Sequence, residues 1–280
     1  MSPLPHVGAR VLVPVDLSGH GEEAFLHALA IALHTRGEVH LLHVHPAGSG
    51  SDWSSLSTTK DVLVRWGHVE PGEGPQAMER LGIAVHPHEV VSRRIAASVA
   101  AQAGQQPFDL IVMHTHDRSA VGAWTEGSVS RVIARQAATP VLFLPARAGG
   151  LVSSSTGAVS LRHVLLPLGD ADEAAAEVAA AEVFGRMLGV EAARGTLLRV
   201  GDTLPPLRLG PDWAWDTRTE HGSVASTIAE TAGALDVDLI VMVTRGHDSL
   251  LDVLNGSVTE RVVDRATCPV LVVPLRATDG

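Results

Sequence analysis

Short apolar runs recur along the chain, and between them lie longer stretches whose apolar positions return at helical spacing. In the first half this pattern predicts strands near Arg10–Val15, Val39–His45, Ile83–Val91, Leu110–His114 and Val141–Leu144. The first, fourth and fifth are almost entirely apolar, as strands covered on both faces must be. The helical stretches predict amphipathic helices near Gly21–Thr35, Arg93–Gly104 and Ser128–Ala137. The second half gives strands near His163–Leu168, Thr196–Val200, Trp213–Arg218, Leu239–Val243 and Val270–Val273. Strands alternating with helices imply right-handed crossovers and an α/β class with a doubly wound parallel sheet.

The two halves are copies. Asp109–Met113 returns as Asp238–Met242, Gly127-Ser128-Val129 as Gly256-Ser257-Val258, and Thr139-Pro140-Val141-Leu142 as Cys268-Pro269-Val270-Leu271, each 129 positions on. Val11–Val15 returns as Val164–Leu168, displaced by 153. The second copy is therefore about 24 residues shorter inside, mostly where the first carries a polar insert from Pro46 to Arg80. Two domains are expected, 1–147 and 160–276, joined by a linker at 148–159. The Ala148–Ser160 stretch is rich in Gly, Ser and Thr and reads as flexible.

Composition narrows the partners. With 45% hydrophobic and 19% charged residues among 280, the chain can bury two cores. A formal charge of −10 disfavours nucleic acid and anionic membrane surfaces. The longest helical apolar stretch, Ala24–Leu33, is too short to span a bilayer, and Met1–His6 lacks the basic-then-apolar pattern of a secretory leader. A single cysteine, Cys268, rules out an internal disulfide, suits a reducing cytoplasm and is expected to be buried. Lys60 is the only lysine, so a phosphate-gripping GxxxxGK[ST] loop is absent.

Ligands of open parallel sheets bind beyond the carboxyl ends of the strands, where strand order reverses. For an order 3-2-1-4-5 that place lies between strands one and four, just past Val15 and Met113 and past Leu168 and Met242. Gly127-Ser128 and Gly256-Ser257 open the last helix of each copy, and backbone N–H groups there could cradle an anion. Val13-Pro14-Val15-Asp16, Leu42-His43-Val44, Asp109–Met113 and Asp238–Met242, the two Gly-Ser pairs and Cys268-Pro269-Val270 stand together in one order. In that order they resemble the UspA, or universal stress protein, family. The resemblance implies two five-stranded domains of the adenine nucleotide alpha hydrolase-like kind, packed as a pseudo-dimer through their last strands. It further implies a cytoplasmic stress-response role, a homodimer as a further assembly, and ATP or AMP as ligand.

By that resemblance the nucleotide residues would be Gly169, Val200, Met242, Gly246, Gly256, Ser257 and Val258 in copy two. Asp16, Val44, Gly127 and Ser128 would serve in copy one. The family's G-x2-G-x9-G-[ST] pattern is broken in both. Copy one reads His114-x2-Asp117-x9-Gly127-Ser128, which puts a carboxylate where phosphate would enter. Copy two reads Val243-x2-Gly246-x9-Gly256-Ser257 but has Gly169 in place of the strand-one acid, with Asp170 following. Copy two is the better nucleotide candidate, with little or no hydrolysis expected. The leading expectation is a non-enzymatic sensing or binding module with degenerate loops. Plain turn-and-cap roles explain the Gly-Ser pairs too, and Asp16 could equally cap a helix.

Of 15 histidines, 12 lie in copy one. His45, His114 or His116 with Asp16 or Asp117 could form a zinc-type site at the strand ends, although no tight spacing enforces it. Scattered structural histidines are the plainer expectation. His86 and His88 flank Pro87, which marks an exposed edge strand. Trp213 and Trp215 alternate along the third strand of copy two and are expected to pack or cover a face rather than stack on a base, and the acidic Asp170–Glu182 stretch to be a solvated helix start.

Overall fold

A computed structural model describes residues 7–17, 21–49, 51–74, 76–115, 139–145, 149–207, 209–245 and 258–275. The strands of the first copy are β1 (Arg10–Val15), β2 (Glu38–His45), β3 (Ala84–Val91), β4 (Leu110–Thr115) and β5 (Val141–Pro145). Those of the second are β6 (His163–Pro167), β7 (Arg194–Val200), β8 (Ala214–Glu220), β9 (Leu239–Arg245) and β10 (Val270–Leu275). The helices are α1 (Gly21–Thr35), α2 (Thr59–Arg65), α3 (Gln76–Leu81), α4 (Ile95–Gln105), α5 (Ala171–Met187), α6 (Val224–Ala234) and α7 (Val258–Arg265). The helix expected at Ser128–Ala137 falls outside the described residues.

All ten strands form one sheet in the order β3-β2-β1-β4-β5-β10-β9-β6-β7-β8. Each half keeps the expected 3-2-1-4-5 order with parallel pairing, and the halves meet in one antiparallel pair, β5 with β10. Leu142 pairs with Leu271, its own repeat equivalent, so a pseudo-two-fold axis passes between them. Equivalent residues pairing with each other is what a self-complementary two-fold contact requires. The last strand of each copy is an edge when the copy is alone, and this pairing covers both edges.

Alternation along the strands divides the core into two layers. Val11, Val13, Val15, Leu110, Val112, Leu142 and Leu144 join Val164, Leu166, Val241 and Leu271 under α1 and α5. Leu12, Ile111, Met113, Val141 and Phe143 join Leu165, Ile240, Met242 and Val270 on the other face, under α4, α6 and α7. Both layers run through the junction, so the copies share one interior. The insert after β2 contributes α2 and α3, whose Val62, Leu63 and Ala77 extend the first layer.

The repeated Asp that precedes strand four proves to be a staple at the closed end of the sheet. Asp109 accepts the Arg10 backbone N–H at 2.8 Å. Asp238 accepts those of Arg162 and His163 at 2.7 and 2.9 Å. Each carboxylate thereby ties strand four to the start of strand one.

Three expectations need correction. The stretch between the copies is not a loose tether. Leu151 and Val152 are buried, Val152 bridges Val159, and the Trp66 indole N–H donates to the Ser154 carbonyl at 3.2 Å. The buried apolar pair and the bridge lock a short hairpin against the insert of copy one. The acidic start of α5 is not wholly solvated, since Glu177 is buried at 3% exposure. The predicted third strand of copy two begins one residue late: Trp213 precedes β8, although it stacks on Trp215 at 5.6 Å as a packing pair should.

Candidate functional site

In both copies the loop after strand one is anchored by strand two through matching positions. In copy one the His43 Nδ1–H donates to the Val15 carbonyl at 2.9 Å. In copy two Arg199 takes the matching place, Leu42-His43-Val44 having become Leu198-Arg199-Val200. Its Nη1 donates to the Leu168 carbonyl at 3.0 Å and to the Gly169 carbonyl at 2.7 Å. Arg199 Nε is buried with no partner among the described residues. Copy two thus has a fixed positive charge at the strand-one end where copy one has an imidazole.

The acid that copy two lacks in sequence is supplied in space. A side chain starting at Gly169 would run directly into the carboxylate of Glu173, whose Oε2 occupies the place of such a Cβ. Glu173 reaches back because it closes a capping box. Asp170 Oδ1 accepts the Glu173 N–H at 3.0 Å, and Glu173 Oε2 accepts the Asp170 N–H at 3.3 Å. Burial holds the Glu173 carboxyl above its usual range, and the nearby Arg199 charge works against that rise.

Behind each strand end the first helix carries a polar pair four residues apart, facing strand four. In copy one the pair is Glu23 and His27. Glu23 Oε2 lies 3.4 Å from His114 Nε2. The His27 Nδ1–H donates to the Glu23 carbonyl at 2.7 Å, while its Nε2 accepts the Leu151 N–H at 2.7 Å. That pattern fixes a neutral ring, and burial pulls its pKa below the ordinary value. In copy two the pair is Glu173 and Glu177. Glu177 Oε1 accepts the Val243 N–H at 3.2 Å, and Oε2 is buried without a partner among the described residues. Burial pushes the Glu177 carboxyl well above its usual range.

Of the predicted nucleotide residues, Gly169 and Val200 sit at the adjoining ends of β6 and β7, beside Arg199. Met242 is buried on β9, the neighbour of β6, and Val258 opens α7. In copy one Asp16 follows β1 and Val44 is buried near the end of β2. Gly127, Ser128, Gly246, Gly256, Ser257, His116 and Asp117 lie outside the described residues. The histidine grouping imagined for copy one does not assemble from the described members. His45 on β2 and His114 on β4 are held apart by the intervening β1. His45 lies against Ser49 at 3.3 Å and Glu89 at 3.8 Å, whereas His114 faces Glu23. Cys268 is buried, and burial pushes its thiol up to about 12, which removes it as a nucleophile at neutral pH.

The sequence reading missed Arg199, Glu173 and Glu177. The signals were present: an arginine where the repeat has histidine, and an E-x3-E pair where copy one has E-x3-H.

Two doubly wound half-sheets joined through their final strands define a tandem α/β protein with one continuous sheet. The Universal stress protein family model matches residues 9–145 and 158–274, and the chain belongs to that family. It is 44% identical over 68 residues to the universal stress protein MJ0531 of Methanocaldococcus jannaschii, which is 24% of this chain and 40% of that protein. It is 41% identical over 61 residues to the universal stress protein Sll1654 of Synechocystis, covering 22% of this chain and 39% of that one. The alignments thus span about two-fifths of each of these curated relatives. The crystal structure of a universal stress protein from Archaeoglobus fulgidus superposes with a TM-score of 0.64 at 18% identity, over 97% of this chain and 98% of that one. At that identity the likeness is one of fold. Among the described residues no helix is long and apolar enough to cross a membrane.

Proposed function

We propose that this chain is a non-enzymatic stress-response module whose binding function rests on copy two, with an adenine nucleotide as the ligand class. The observation that carries the reading is the pairing of Glu173 with Arg199 at the Gly169 strand end. Glu173 places a carboxylate where the family's strand-one acid would project, suited to the hydroxyls of a ribose. Arg199 adds a fixed cation beside it, favourable to a phosphate group. Copy one fills the same region with a histidine knot instead, and its sequence carries Asp117 where an anion would enter.

The reading is one of binding without turnover. The test is thermal shift with ATP and with AMP, alongside quantification of ADP after prolonged incubation with ATP. The expected result is a raised melting temperature with no ADP beyond a protein-free control. Sustained ADP release, or no thermal response to either nucleotide, would overturn the proposal.

A further inference from the structure

Toward the amino ends of β2 and β3, on the outer edge of copy one, the two strands bring three histidines and a carboxylate into one cluster. Their parallel register sets His40 opposite His86 and Leu42 opposite His88. Alternation then sends His40, His86 and His88 to the same face. The His40 ring lies 4.8 Å from that of His86 and 5.2 Å from that of His88, with which it stacks at 4°. His40 Nε2 is 3.2 Å from Glu38 Oε2, and His40 Nδ1 is 3.0 Å from His88 Nε2. One ligand atom each from Glu38, His40 and His86 falls within 4.8 Å of the others, the only such trio among the described residues.

The geometry points to a zinc-type divalent cation site formed by Glu38, His40 and His86, with His88 as the residue that positions His40. Two imidazoles and one carboxylate are a donor set zinc accepts, with a fourth position left for water. Bonds of about 2.0–2.1 Å would require the trio to close by roughly an ångström. Glu38 and His86 are only partly buried and can supply that movement, while His40 is buried and held. A ligating histidine ordinarily donates its second N–H to a fixed acceptor, and His88 Nε2 stands ready for His40 Nδ1.

One neighbour bears on affinity. Arg10 Nε lies 3.4 Å from Glu38 Oε2, and its guanidinium rests over Phe108 at 5.5 Å. Its charge opposes a cation, so the site is weaker than one without it. Copy two has no such cluster among its described residues. Its matching positions hold Arg194 and Asp216, ion-paired at 2.7 Å, and Thr196, which bonds His163 at 2.9 Å. The site is therefore a property of copy one alone and independent of the nucleotide proposal.

The test is equilibrium dialysis of the whole chain against zinc(II), paired with cobalt(II) absorption spectroscopy. One zinc per chain and the intense d–d bands of tetrahedral cobalt are expected. His86→Ala should abolish both. His88→Ala should weaken zinc binding by about 10–100-fold while leaving the ligands in place. His45→Ala, at the far end of β2, should change neither. Circular dichroism checks that each variant is folded, and Glu38→Gln, on an exposed side chain, provides a second ligand variant. A wild-type chain that stays metal-free, or zinc bound equally by H86A and E38Q, would overturn the site.

Discussion

At the strand-one end, copy one presents Asp16, His43 and the Glu23–His27–His114 knot, whereas copy two presents Gly169, Arg199 and the Glu173–Glu177 pair. The backbone frame is the same, since the two anchors reach the carbonyls of equivalent residues, Val15 and Leu168. What differs is the charge carried and where it is buried. Duplication preserved the slots and changed their occupants, so the two ends answer differently to mutation, pH and ligand.

The largest expected effect sharpens the contrast between the knots. His27 is fully buried and is the partner of the Leu151 N–H, so it joins α1 to the segment between the copies. His27→Ala should cost about 3 kcal/mol, from the cavity and the orphaned N–H together. Urea unfolding would measure it, and a loss below about 1 kcal/mol would remove His27 as a tie between helix and linker.

Next come the opposite pH signs. His27 has a depressed pKa, so its contribution is present above the ordinary value of 6.5 and is lost as pH falls through its folded value. Glu177 has a raised pKa, so its contribution is present below 4.5 and is lost as pH rises through its folded value. Glu177→Gln mimics the protonated acid and should stabilise the chain by about 1–2 kcal/mol at neutral pH. It should do little below the ordinary glutamate pKa. Melting temperatures of wild type and E177Q across pH would check this, and parallel curves would contradict it.

The Asp staples differ more finely. Asp238 accepts two backbone N–H groups where Asp109 accepts one. Asp238→Ala should cost about 2 kcal/mol and Asp109→Ala about 1 kcal/mol in denaturant unfolding. Smallest is Arg199→His, which gives copy two the anchor of copy one. It should keep the bond to the Leu168 carbonyl, give up the one to the Gly169 carbonyl, and cost about 0.5 kcal/mol in the same unfolding measurement.

Much of this frame is legible in the sequence. The β1, β4 and β5 runs are apolar because both faces are covered, and the constant 129-residue offset is enough by itself to reveal the second copy. The junction is legible only through the family resemblance, which implies packing through the last strands, and the β5–β10 pair bears that out. Side-chain substitution in space is what the pattern hides. Glu173 stands in for an acid missing four residues earlier, through a capping turn that no linear motif records. The zinc-type cluster depends on the register of β2 against β3, and a one-residue slip would send its histidines to opposite faces. The linker's glycines and serines suggested mobility because composition does not show that Leu151 and Val152 have a core to enter.

The decisive measurement is isothermal titration of AMP and ATP into the wild-type chain and into two variants, Arg199→Ala and His43→Ala. One site per chain is predicted, weakened by tenfold or more in R199A, a loss of about 1.4 kcal/mol, and unchanged in H43A. Two equivalent sites, or a single site that survives R199A and disappears in H43A, would contradict the assignment of the ligand to copy two.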